Sequence, residues 1–257
     1  MNHDALPEPG TDPPPGRYDG SRLVFRGPLW ALDGRHVAFV GGGAMRGGPV
    51  ARPFPALVGA ELGVPAVNLG LRHASVEAFL LDPVVGRACR DARLCVLEVM
   101  GAANLSNRLY TVHPRRNDRF LRASGALRAI YPEVDFTEVC FTRHLLTRLH
   151  EADAGRFEIV QEELRLAWEA RMRAFLERVG RHVVLLWPEA RWEAVVPLGA
   201  EPLFVTRAMV ESLRPLVRQV VPVRDPGTDA AAHREVAAAL LDPVRAGLDE
   251  EGLRASA

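Results

Sequence analysis

Residues 93–120 read RLCVLEVMGAANLSNRLYTVHPRRNDRF. The first part, Leu94-Cys95-Val96-Leu97-Glu98-Val99-Met100, is apolar apart from Glu98 and short enough for a buried strand. It breaks at Gly101. Polar and cationic residues then crowd in: Asn104, Ser106, Asn107, Arg108, His113, Arg115, Arg116, Asn117, Asp118 and Arg119. Open parallel sheets bind ligands beyond the carboxyl ends of their strands, so a buried strand running into such a loop predicts an α/β fold with a site at that edge.

The flanking sequence continues the pattern. Residues 36–40 form a short apolar run between Gly34 and Gly41-Gly42-Gly43, a strand leading into a glycine turn. Residues 54–62 place apolar side chains at helical spacing and stop at Gly63. Residues 65–69 read as a second strand ending at Gly70, and 76–89 as helix that Pro83 must break or restart. Residues 101–155 form an inserted polar segment with short helices predicted at 119–130 and 136–150. The longest periodic helix is 156–179, with Phe157, Val160, Leu164, Met172 and Phe175 on one face and Gly180 at its end. Further strands are expected at 182–187 and 217–223, and helices at 203–213 and 228–241.

Helices alternating with buried strands predict a three-layer α/β/α doubly wound parallel sheet. One domain over 21–245 accommodates these elements. The proline-rich residues 1–20 are expected to be a loose tail, and 246–257 a polar C-terminal tail.

Formal net charge is zero over 257 residues, so no global field attracts nucleic acid or an acidic membrane. The chain has no lysine, and its many arginines fit a GC-rich coding sequence, so only arginine placement carries information. Cys89, Cys95 and Cys140 lack metal-type spacing and suggest a reducing compartment. The N-terminus lacks the apolar run of a signal peptide, and no stretch reaches the roughly 18 apolar residues of a membrane span. These features predict a cytoplasmic protein without a cofactor. Asp135, Glu138 and His144 match no metal motif and read as helix-surface charges.

Several residues have the chemistry of a site. Gly41-Gly42-Gly43 lacks both the lysine of a Walker loop and the spacing of a dinucleotide fingerprint, so it reads as a tight turn. Gly70, Gly101 and Asn104 each follow a strand and offer amide donors of the type used in an oxyanion hole. Arg115 and Arg116 could fork onto an anionic ligand or pair with Asp118, with Ser106, Asn107 and His113 beside them. His233 opens the last helix at the same sheet edge and could be a general base. Asp229 could assist it, or Asp229 or Thr228 could cap that helix.

The order of these blocks resembles the SGNH (GDSL-like) hydrolase superfamily. The runs NLSNRLYTVHPRRNDRFL and YPEVDFTEVCFTRHLL are more similar still to an uncharacterised bacterial family with an SGNH-like layout. The superfamily resemblance implies a flavodoxin-type strand order 2-1-3-4-5. It also implies ester hydrolysis or acyl transfer on a polar or anionic small molecule, with Gly70, Gly101 and Asn104 at the oxyanion and His233 as base. In that superfamily a serine follows strand one and an aspartate precedes the histidine by three residues. Here Gly43, Ala44 and Met45 follow the strand, no hydroxyl lies between Val40 and Ser75, and Asp229 stands four residues before His233. The alternative expectation is a non-catalytic binding or regulatory protein that keeps the pocket.

Overall fold

The computed structural model describes residues 14–189, 198–199, 201–224, 227 and 229–255. Five parallel strands form the central sheet: β1 (Val37–Val40), β2 (Ala66–Asn68), β3 (Leu94–Glu98), β6 (Val183–Glu189) and β7 (Gln219–Arg224). A separate antiparallel hairpin comprises β4 (Tyr110–His113) and β5 (Arg116–Ala123). The sheet order is β2-β1-β3-β6-β7, which among the parallel strands is the expected 2-1-3-4-5. Val37 stands opposite Ala66 on one side and Leu94 on the other, so β1 and β3 are central.

Alternation within these apolar strands divides the core. Val37, Phe39, Val96, Val184 and Leu186 face α2 (Phe54–Leu62) and α9 (Ala230–Ala255). Ala38, Val40, Cys95, Leu97 and Leu185 face α3 (Val76–Leu80), α4 (Pro83–Asp91) and α7 (Ala154–Val179). Helices on both faces favour apolar side chains along the strands, and burial of each large one contributes about 1.5–3 kcal/mol. Among the polar residues of these strands, Glu98 at the carboxyl end of β3 is buried.

Local chemistry explains the helix boundaries. Pro83 restarts rather than only breaks its helix: it occupies the first turn of α4, where its missing N–H costs nothing. The Asp82 carboxylate caps that turn by accepting from the Val84 and Val85 amides at 3.0 and 3.2 Å. Gly63 ends α2 in the left-handed conformation at φ 64°. Asp153 caps α7, and Trp168 on its buried face donates Nε1–H to the Met100 carbonyl at 2.7 Å, tying this long helix to the segment just after β3.

The predicted helix at 119–130 is strand over its first part, and helix α5 occupies only Gly125–Ile130. Buried Asn117, Phe120 and Ala123 set the β5 face, with a register irregularity against β4 accommodating the three-residue steps. The helix predicted at 136–150 is α6, Thr142–Ala152. The C-terminal tail expected at 246–257 is helix through Ala255, despite Pro243 inside α9. Val236, Leu240, Val244 and Leu248 recur at helical spacing, and a Cβ on Gly247 would lie 2.6 Å from Leu94, so the helix stays pressed onto β3.

At the other end, residues 14–20 are joined to the body rather than loose. Gly16 and Phe25 exchange backbone hydrogen bonds of 2.9 and 2.8 Å, and Ser21 donates its hydroxyl to Asp82 at 2.8 Å. The rest of the expected N-terminal tail, residues 1–13, lies outside the described residues, as does Thr228. No described helix is long and apolar enough to cross a membrane.

Candidate functional site

A cavity of about 820 Å3 opens at the carboxyl edge of the sheet, between the segments that leave β1 and β3. The chain runs from β1 outward to β2 and returns to β3 on the other side of β1. That reversal splays the two exits and leaves a crevice. Gly42, Gly43 and Ala44 form one wall, and Glu98 through Gly101 form another.

The glycine turn fits around Glu98. Gly42 donates its amide to Glu98 Oε2 at 2.9 Å. A Cβ on Gly41 would stand 2.2 Å from the same oxygen, so a side chain there would displace the carboxylate. The turn therefore holds a buried carboxyl side chain. Sequence reading passed over Glu98; the available signal was one ionisable residue at the carboxyl end of an otherwise apolar strand.

Asn104 is the junction of the cavity. Its Oδ1 accepts from Thr142 Oγ1 at 2.5 Å, and its Nδ2 donates to the His73 carbonyl at 3.2 Å. One amide thus ties together the segments after β2 and β3 and the first residue of α6. His73 has φ 56°, a left-handed conformation that costs a non-glycine residue about 1–2 kcal/mol. The relay holds the backbone in that conformation at the rim. Behind the wall, Tyr110 donates its hydroxyl to the Ala103 carbonyl at 2.5 Å, and burial pushes its phenol pKa up, keeping the donor proton in place.

Gly101 lines the cavity as expected. A Cβ on it would come within 2.8 Å of Leu203 N, and the neighbouring Ala102 amide donates to the Leu203 carbonyl at 2.9 Å. This contact brings Glu201, Pro202 and Leu203 across as a further wall. Arg143 pairs with Glu201 at 3.0 Å on the rim. Arg72, His73 and Asp118 also line the cavity, and none makes an ion pair among the described residues.

The other expected site residues lie outside the cavity lining. Gly70 donates its N–H to Asn68 Oδ1 at 2.9 Å and packs on the Arg46 backbone, so that amide is already engaged. His233 is fully buried beneath the opposite face of the sheet: Nδ1 accepts the Phe54 amide at 3.2 Å, and the imidazole stacks on the Phe54 ring. It is not part of the cavity wall. Asp229 is exposed and accepts from the Ala231 amide at 2.9 Å, the bond of a helix cap. Neither the histidine nor the aspartate lines the cavity.

The inserted polar run forms a hairpin tip. His113 Nδ1 accepts the Arg115 and Arg116 amides, both at 3.2 Å, and closes the turn. Both arginines are exposed, and neither lines the cavity. Asn107 accepts from the Leu109 and Tyr110 amides, and Ser106 Oγ accepts the Val112 amide at 3.2 Å. Ser75 donates its hydroxyl to Asn117 Oδ1 at 2.9 Å, so neither Ser75 nor Ser106 is bonded to His233. No group of three or more His, Cys, Asp or Glu suited to a metal occurs among the described residues.

Among curated proteins, no match to this chain is found. Residues 1–253 match the family model described as Domain of unknown function (DUF6473), a span that includes every wall of the cavity, and the chain belongs to that family.

Proposed function

We propose that this protein binds a small polar molecule in the cavity at the β1/β3 crevice without catalysing serine-type ester chemistry. The carrying observation is convergence: Arg72, Glu98, Asn104, Asp118, Thr142 and Glu201, distant along the chain, surround one cavity at the edge where doubly wound sheets take ligands. Its volume lies within the range of about 300–1,000 Å3 usual for small-molecule sites. The SGNH-type ester-hydrolase reading has less support. Its nucleophile position is Gly43-Ala44, and its expected base, His233, packs on Phe54. Thr142 supplies a hydroxyl at the cavity, but it donates to an asparagine oxygen, and an amide oxygen does not take a proton as a general base would.

A Cβ on Gly43 meets nothing within 4 Å, and its φ lies outside the left-handed region, so Gly43→Phe can fill the cavity from a tolerant position. In a thermal-shift screen of polar metabolites, compounds that raise the Tm of the wild type are expected to have no effect on Gly43→Phe. Shifts that survive the substitution place binding elsewhere and overturn the reading. Turnover of p-nitrophenyl acetate above buffer, lost in Thr142→Val, would restore the enzyme reading.

A further inference from the structure

We infer that the ligand is bipolar: an anionic group bound by Arg72 and His73, joined to hydroxyl or ammonium donors bound by Asp118. This rests on the cavity being the ligand site and adds the chemistry of what enters it.

The inference follows from which polar groups at the cavity are already engaged. Arg143 and Glu201 neutralise each other across the rim. Asn104 spends its oxygen on Thr142 and its amide on the His73 carbonyl. Glu98 receives the Gly42 amide. Arg72, His73 and Asp118 remain, with no hydrogen bond or ion pair from their side chains among the described residues.

Arg72 and His73 are adjacent and exposed on the loop after β2. A guanidinium presents its donors as a planar fork that matches the oxygens of a phosphate, sulfate or carboxylate, and an imidazole adds another donor. The left-handed backbone at His73, held by Asn104, fixes where this pair sits relative to the cavity. Asp118 lies on β5 and is half-buried. The Asp118 backbone carbonyl faces Thr142 Oγ1 at 3.4 Å, which anchors that strand to the same wall. A carboxylate is acceptor-only when ionised, so it selects hydroxyls or an ammonium. A purely anionic ligand would leave Asp118 facing negative charge, and a purely cationic one would meet Arg72. A molecule with both ends satisfies both.

Titration calorimetry with matched probes tests this. D-glucose 6-phosphate supplies hydroxyl donors with a phosphate, and phosphoethanolamine an ammonium with a phosphate. D-glucose, ethanolamine and inorganic phosphate are the one-ended controls. At least one two-ended probe should bind about tenfold tighter than either of its parts. Arg72→Ala should reduce its affinity to that of the phosphate-free control. Asp118→Asn should reduce it to that of inorganic phosphate. The better probe also distinguishes hydroxyl from ammonium recognition. Equal binding of one- and two-ended probes, no binding of either two-ended probe at millimolar concentration, or indifference to both substitutions overturns the inference. Gly43→Phe separates the two failures. Loss of binding there with no bipolar preference keeps the cavity as the site and rejects this ligand class. Binding that persists rejects the cavity itself.

Discussion

The hairpin tip at 113–117 and the cavity between β1 and β3 contain similar kinds of side chain and use them in opposite ways. At the tip, His113 and Asn117 hydrogen-bond to nearby residues and the loop after β2, and Arg115 and Arg116 are exposed. At the cavity, residues from well-separated segments meet, and Arg72, His73 and Asp118 line it with no side-chain partner among the described residues. A dense polar run can satisfy itself because its members are neighbours. A site keeps uncommitted groups because the sheet brings together residues that could not have paired locally.

The largest expected effect tests the packing that creates the crevice. A Cβ on Gly70 would lie 2.3 Å from Arg46 N and 2.8 Å from Arg46 Cα and Met45 C. These are backbone atoms with little room to yield. Gly70→Ala should cost about 3 kcal/mol in urea unfolding. A loss below about 0.5 kcal/mol would mean that the segment after β2 can move away from the glycine turn.

Next comes the relay at Asn104. Asn104→Ala removes the acceptor of Thr142 and the donor to His73 together, at an expected cost of about 2 kcal/mol. His73→Gly should act in the opposite direction. It relieves the left-handed strain and, after the entropic cost of glycine, should raise stability by up to about 1 kcal/mol. Opposite signs at two hydrogen-bonded residues would identify His73 as strained at the rim. If His73→Gly instead destabilises, the histidine belongs to the fold, and the contrast with the hairpin tip weakens.

What the sequence revealed divides along the same line. The strands were legible because burial on both faces writes itself as the apolar runs VAFV, LCVLE and VVLLW, whereas their order came from the superfamily resemblance. Gly101 and Asn104 were legible as cavity residues because they lie immediately beyond β3. Arg72, Glu98, Thr142 and Glu201 were not, since their significance depends on which distant loops the sheet brings together. The hairpin was missed because its buried residues recur at three-residue steps, 117, 120 and 123, which resembles a helix until the β4 register irregularity absorbs it. The placement of His233 against Phe54 was not legible, because a position at the start of the last helix does not determine where its side chain packs.

A pH effect separates the core from both regions. His36 is buried with Nε2 donating to the Ala88 carbonyl at 3.0 Å, and burial lowers its pKa from the ordinary 6.5. The unfolded chain therefore binds this proton more readily than the folded one. Its contribution to stability is complete above pH 6.5 and falls as the pH drops from there toward the lower folded-state value. The Tm should decline on acidification through this window, and His36→Gln should show a shallower decline. An unchanged slope would assign the acid sensitivity to other groups.

The smallest expected effect bears most directly on the contrast. Arg115→Ala and Arg116→Ala remove exposed side chains that make no ion pair among the described residues, and the amides that His113 holds belong to the backbone and remain. Each substitution should change stability by no more than about 0.5 kcal/mol and leave binding at the cavity unaltered. A tenfold loss of ligand affinity in either variant would mean that the hairpin folds over the occupied cavity. The tip would then be part of the site, as its composition first suggests, and the distinction between a self-satisfied polar run and a convergent one would fail for this protein.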